Sequence, residues 1–161
     1  MRAGSTAKIP GLAMEAKIAN QAAIIAAARS WLGTPYRHQA SLKGVGCDCL
    51  GLVRGVWREV IGPEPQPLPP YSASWAESEA GEMLAEAGSR FLVPRPGREF
   101  LPGDVLLFRW RAGYAAKHAG IATARDHMIH AQDGACVSEV PLERWWLRHL
   151  AFVFHFPGVS A

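Results

Sequence analysis

The sequence predicts an α+β domain, with N-terminal helices packed on a C-terminal antiparallel β-sheet, and three observations carry that expectation. Apolar residues recur at helical spacing through about residue 88 and shift toward a period of two beyond it. The later apolar runs are short and separated by glycine and proline, as strands joined by turns are. With 161 residues and 49% hydrophobic content, the chain has the material for one domain with a single core between two layers.

Residues 1–16, rich in Gly, Ala, Ser and Lys, read as a flexible N-terminal arm, and residues 17–161 as the folded domain. From Ala16 to Leu32 the positions Ile18, Ile24, Ile25, Ala28, Trp31 and Leu32 share one helical face, and Gly33 stops the helix. Gly33 to Val45 is a loop in which Pro35 restrains the backbone and Tyr36 and His38 offer polar tips. Asp48 can then cap a helix running from Cys49 to about Val60, with Leu50, Val53, Val56 and Trp57 at helical spacing. Gly62 and the prolines from Pro63 to Pro70 force an extended connection.

A third helix is expected to be capped by Ser72 or Ser74, to carry Trp75, Ala76, Met83, Leu84 and Ala87, and to end at Gly88. Strands are expected at 91–93, 104–108, 118–123, 127–131, 136–139 and 150–156. The unbroken apolar run Val105-Leu106-Leu107-Phe108 suits a central strand buried on both faces.

Charged residues are only 19% of the chain and the formal net charge is +3, with no basic blocks interleaved with aromatics. No nucleic-acid partner is expected, although a mildly basic surface suits an anionic polymer such as a bacterial cell wall. Three cysteines, an odd number, argue against a disulfide framework. No apolar run is long enough for a membrane span, and none near the N-terminus for a signal peptide. The expectation is synthesis in the cytoplasm and, for action elsewhere, delivery by another route.

Cys49 falls in the first turn of its helix, where unpaired N–H groups and the positive end of the helix dipole favour a thiolate over a thiol. A packed structural cysteine fits the same position. A nucleophilic thiolate needs a base, and the base needs a group to orient it. His118 opens the apolar run HAGIAT and His130 lies near the end of the next, MIHA, a spacing that lets adjacent antiparallel strands bring the two side chains together. Zinc ligation by Cys47, Cys49, Cys136, His118 and His130 is the rival, disfavoured because Cys-x-Cys is not the usual zinc spacing.

With GTPYR ahead of the cysteine, DCLGLV at it, PGDVLLF opening the sheet, KHAGIAT at the first histidine and MIHA at the second, the sequence resembles the NlpC-type cell-wall peptidases. These are papain-like cysteine enzymes. The resemblance covers most of residues 21–156 and looks closest to the branch found with phage tails and gene-transfer agents. It implies Cys49 as nucleophile, His118 as its base and His130 as the residue orienting His118. It further implies that the Tyr36 hydroxyl faces the active site and that Asp48 helps hold the substrate's amino end. Leu50 stands where the family usually has serine, and His38, Gln39 and Ala40 replace its common glycines.

The implied reaction is acyl transfer to sulfur and then hydrolysis, with the Cys49 N–H as oxyanion donor and no metal or other cofactor. The implied substrate is the γ-D-glutamyl link to a diamino acid in a peptidoglycan stem peptide. The implied location is a phage-tail-like particle, with its structural proteins as partners. The alternatives are a non-catalytic tail-assembly or wall-binding component, and an amidase or acyltransferase on the same fold.

Overall fold

The computed structural model describes residues 20–66 and 82–159. The expected N-terminal arm, with its boundary near residue 16, lies outside them, as do Ser72, Ser74, Trp75 and Ala76. The helix α1 spans Gln21–Arg29, beginning after Asn20, whose side chain accepts from the Ala23 N–H at 2.8 Å. The helix is shorter than the expected Ala16–Leu32: it starts after the extended Asn20 and ends at Arg29 with Ser30 as its cap, and Gly33, at φ 84°, turns the chain only beyond that cap. Helix α2, Cys49–Val60, has the predicted bounds and the predicted cap, Asp48 accepting from the Gly51 N–H at 2.7 Å. The turn that follows α1 packs closely on α2 because Gly55 has no side chain: a Cβ there would collide with the Trp31 ring.

Ser41–Leu42 (β1), inside the segment expected to be a plain loop, and Gly46–Cys47 (β2), just beyond its expected end at Val45, form a small antiparallel hairpin. Two elements differ further from expectation. Helix α3, Met83–Phe91, runs past Gly88, over which the Phe154 ring lies so closely that a Cβ would meet it at 2.9 Å. The glycine marks a packing contact, not a helix end. Phe91 therefore closes a helix, and the first strand of the main sheet is Val93–Arg95 (β3).

The remaining strands are Val105–Phe108 (β4), His118–Ala124 (β5), His127–His130 (β6), Ser138–Pro141 (β7) and Leu150–His155 (β8). Together they make a six-stranded antiparallel sheet in the order β3-β8-β4-β5-β6-β7. The strand expected at 136–139 starts two residues later, because Cys136 and Val137 bridge instead to Thr34 and Pro35.

β4 is interior and buried throughout, as its sequence required. On one face of the sheet Val105, Leu107, Ala119, Ile121 and Ile129 meet Ile24, Leu52 and Val56 of the first two helices. The other face is also covered, contrary to the one-sided packing expected. There a short helix, Arg144–His149 (α4), lays Trp146 on Leu106, Phe108, Met128 and Val153.

Candidate active site

The chain between Gly33 and α2 is held in place by backbone hydrogen bonds on both sides. Gly33 and Tyr36 donate to Val137 and Ala135, at 2.9 and 3.1 Å, while Cys47 donates to Pro35 and Arg37 donates back to Cys47, both at 3.0 Å. These bonds place Tyr36 beside the cysteine turn. Its hydroxyl is pushed up to about 12, first by burial and then by the nearby Cys49 and Asp48.

Asp48 is 3% exposed and both carboxylate oxygens serve the chain itself. One caps α2 at Gly51; the other accepts from the Gln39 N–H at 2.7 Å, with His38 Nδ1 3.9 Å away. Gln39 is the one non-glycine among the described residues at positive φ, 63°, a strain that this bond helps to hold. The Asp48 side chain is thus the clamp between the loop and the helix.

Cys49 is half-buried at the start of α2, while Cys47 is fully buried and Cys136 exposed. The N–H groups of Ala119, Leu50 and Cys49 itself face the sulfur and favour its anion. Burial opposes them more strongly, with the Asp48 carboxylate adding to it, and the thiol is pushed up to about 12. The helix start thus supplies the donors expected to favour a thiolate, while the dry surroundings pull the other way.

His118 and His130 meet as expected. His118 Nε2 lies 2.8 Å from His130 Nδ1. His130 pairs across the strands with Gly120, two residues along β5 from His118, so the contact runs diagonally on one face. Gly120 leaves that space open: a Cβ there would meet Met128 Sδ at 2.7 Å. Burial lowers His118 to about 3, helped by the neighbouring His130, and lowers His130 to about 4. Both rings are neutral at pH 7. The described hydrogen bonds join His118 to His130 and not to Cys49; the sulfur reaches β5 through the backbone of Ala119, the residue after His118.

Sequence reasoning missed the rings that enclose the histidines. Trp110 stacks on His118 at 5.4 Å between centroids and 24° between planes. Trp146 lies over the same imidazole at 5.7 Å and meets His130 edge-on at 5.2 Å. The signals were Trp110, just after the strand run VLLF, and Trp146 in ERWWLRH, which is too short a run to show a period. On the helix side of the sulfur, Leu50, Val53, Leu107 and Ala119 line an apolar cavity, so the leucine in the usual serine position faces apolar space.

A sequence model described as the NlpC/P60 family matches residues 33–154, a span holding both histidines, the cysteine, Tyr36 and Asp48. The chain belongs to the NlpC/P60 family. Solved structures agree on its α+β, papain-like fold. The NlpC/P60 domain of the peptidoglycan hydrolase SagA is 24% identical, with a TM-score of 0.57, over 85% of this chain and 99% of that one. An NlpC/P60 protein from Bacillus cereus is 18% identical with a TM-score of 0.59. The peptidoglycan hydrolase RipB from Mycobacterium tuberculosis is 19% identical with a TM-score of 0.53. This NlpC/P60 chain spans 40% of the Bacillus cereus chain and 63% of RipB. No curated protein matches it. Among the described residues, no helix is long and apolar enough to cross a membrane.

Proposed function

We propose that the chain is a cysteine endopeptidase that hydrolyses peptidoglycan stem peptides at the γ-D-glutamyl link to the diamino acid. The observation that carries this reading is the 2.8 Å contact of His118 with His130, beside the strand backbone that faces the Cys49 sulfur, in a chain of the NlpC/P60 family.

The neutral pair dictates the proton path. For His118 to take the thiol proton on Nδ1, its own proton must sit on Nε2, where it is donated to His130 Nδ1. His130 thus holds the ring in the working tautomer. Sulfur attacks the scissile carbonyl carbon as its proton passes to His118, and the new oxyanion is met by the first-turn N–H of Cys49. His118 then protonates the departing amine, and a water that it deprotonates in turn cleaves the thioester. Tyr36 and Asp48 border the sulfur and would receive the substrate's amino end.

The apolar cavity lined by Leu50 favours a second reading, an amidase or acyltransferase on an aliphatic amide. Digestion of purified peptidoglycan with mass identification of the fragments separates the two. New γ-glutamyl carboxyl and diamino-acid amine ends support the first reading; an intact wall alongside cleavage of fatty amides supports the second. We also propose carriage in a phage-tail-like particle, a reading supported by the motif resemblance and tested by detecting the chain in purified particles.

A further inference from the structure

Indole rings lead outward from the buried histidine pair to the surface. Trp110, stacked on His118, is itself packed against Trp145 at 5.5 Å, and Trp145 rests edge-on against Trp146 at 4.9 Å. His149 supports Trp145 from another side, 4.1 Å away and nearly parallel. Trp145 is nonetheless 49% exposed. It is a large ring stacked on His149 and bordered by Trp110 and Trp146, with about half of its surface still open to solvent, an arrangement that adds little to the core but suits stacking of a ligand. Arg144 and Arg148 lie beside it on the same short helix, Arg111 directly follows Trp110, and all three are exposed.

We propose that the Trp110–Trp145 surface is a carbohydrate subsite that takes the amino-sugar strand from which the stem peptide hangs. This rests on the reading of the chain as a stem-peptide hydrolase. A pyranose presents a face of C–H bonds, slightly positive, to the negative face of an indole, while its hydroxyl and N-acetyl groups stay in water or meet the arginines. The surface is continuous with the candidate active site, one ring contact at each step from Trp145 to His118. A strand lying on it carries its attached peptide past the histidine. Single-stranded nucleic acid also stacks on aromatic rings beside arginine, but it needs a basic groove, and a net charge of +3 over 161 residues does not build one.

The test compares two substrates, the free stem peptide and the same peptide on its amino-sugar disaccharide, with titration of tryptophan fluorescence by peptide-free glycan strands. Wild type should prefer the sugar-bearing substrate by about tenfold in kcat/KM, chiefly through KM, the size expected of one stacked ring. Trp145→Ala should bring that ratio close to one and abolish glycan quenching, while Trp145→Phe keeps part of both. Leu147→Ala, an exposed residue on the same helix, should keep the ratio. An unchanged ratio in Trp145→Ala, equal loss on both substrates, or quenching by oligothymidylate but not by glycan overturns the proposal. If neither peptide is cleaved yet glycan quenching is lost in Trp145→Ala, the hydrolase reading fails and the subsite stands.

Discussion

Two sets of groups pull the Cys49 sulfur in opposite directions. The N–H groups of Ala119, Leu50 and Cys49 draw charge onto it; burial and the Asp48 carboxylate drive charge away, and they prevail. With His118 lowered to about 3, the resting pair at pH 7 is neutral thiol and neutral imidazole, and the proton moves only when a carbonyl carbon receives the sulfur. Iodoacetamide should therefore label the exposed Cys136 faster than Cys49 at pH 7, with the Cys49 rate still climbing above pH 9. A Cys49 rate that levels off below pH 7 contradicts this, and peptide mapping distinguishes the two. The histidines also set the acid limb of stability. Their folded values, about 3 and 4, lie below the ordinary 6.5, so the unfolded chain binds protons first as pH falls. Their contribution is complete above about pH 6.5 and is lost toward pH 3. The thermal midpoint should fall across that window in wild type and fall less steeply in His118→Gln; parallel curves refute the linkage.

Helix α2 is where local sequence and tertiary packing agree, and Asp48 shows why. Its cap on Gly51 was legible from residue type and position, but its second bond, to the strained Gln39, depends on the loop folding back and was not. Asp48→Ala should cost about 1–3 kcal/mol, losing the cap and stranding the Gln39 N–H, as read by urea unfolding. Asp48→Asn should recover more than half of that loss, and no recovery would show that charge matters more than the acceptor. Other elements were legible only in part. Gly88 has the composition of a helix end, yet it lies in mid-helix because Phe154, more than sixty positions later, needs the space. The six residues of α4 are too few for a period to emerge, although they supply Trp146, one of the two rings that enclose the histidines.

The described residues are built around a six-stranded sheet with a core on each face, and its interior strands could be read because period and composition report burial directly. The histidine pair was legible for the same reason: two strands joined by a short turn bring their ends together wherever the sheet lies. The protonation state of the sulfur was not, since it depends on how dry the assembled site is. Leu52, fully buried between α2 and the sheet, tests the unity of the fold. Leu52→Ala should cost about 2–5 kcal/mol while unfolding remains a single transition by circular dichroism and by fluorescence. Separate transitions would mean that the helices and the sheet are independent units.

The measurement closest to the central claim is hydrolysis of purified peptidoglycan by three single variants, each checked by circular dichroism for an unchanged fold. Cys49→Ala should abolish release of stem-peptide fragments, because no other described sulfur has first-turn and strand N–H groups facing it, whereas Cys47→Ala and Cys136→Ala should retain most of the wild-type rate. Activity remaining in Cys49→Ala, or equal loss in a correctly folded Cys47→Ala, would contradict the assignment of Cys49 as the nucleophile.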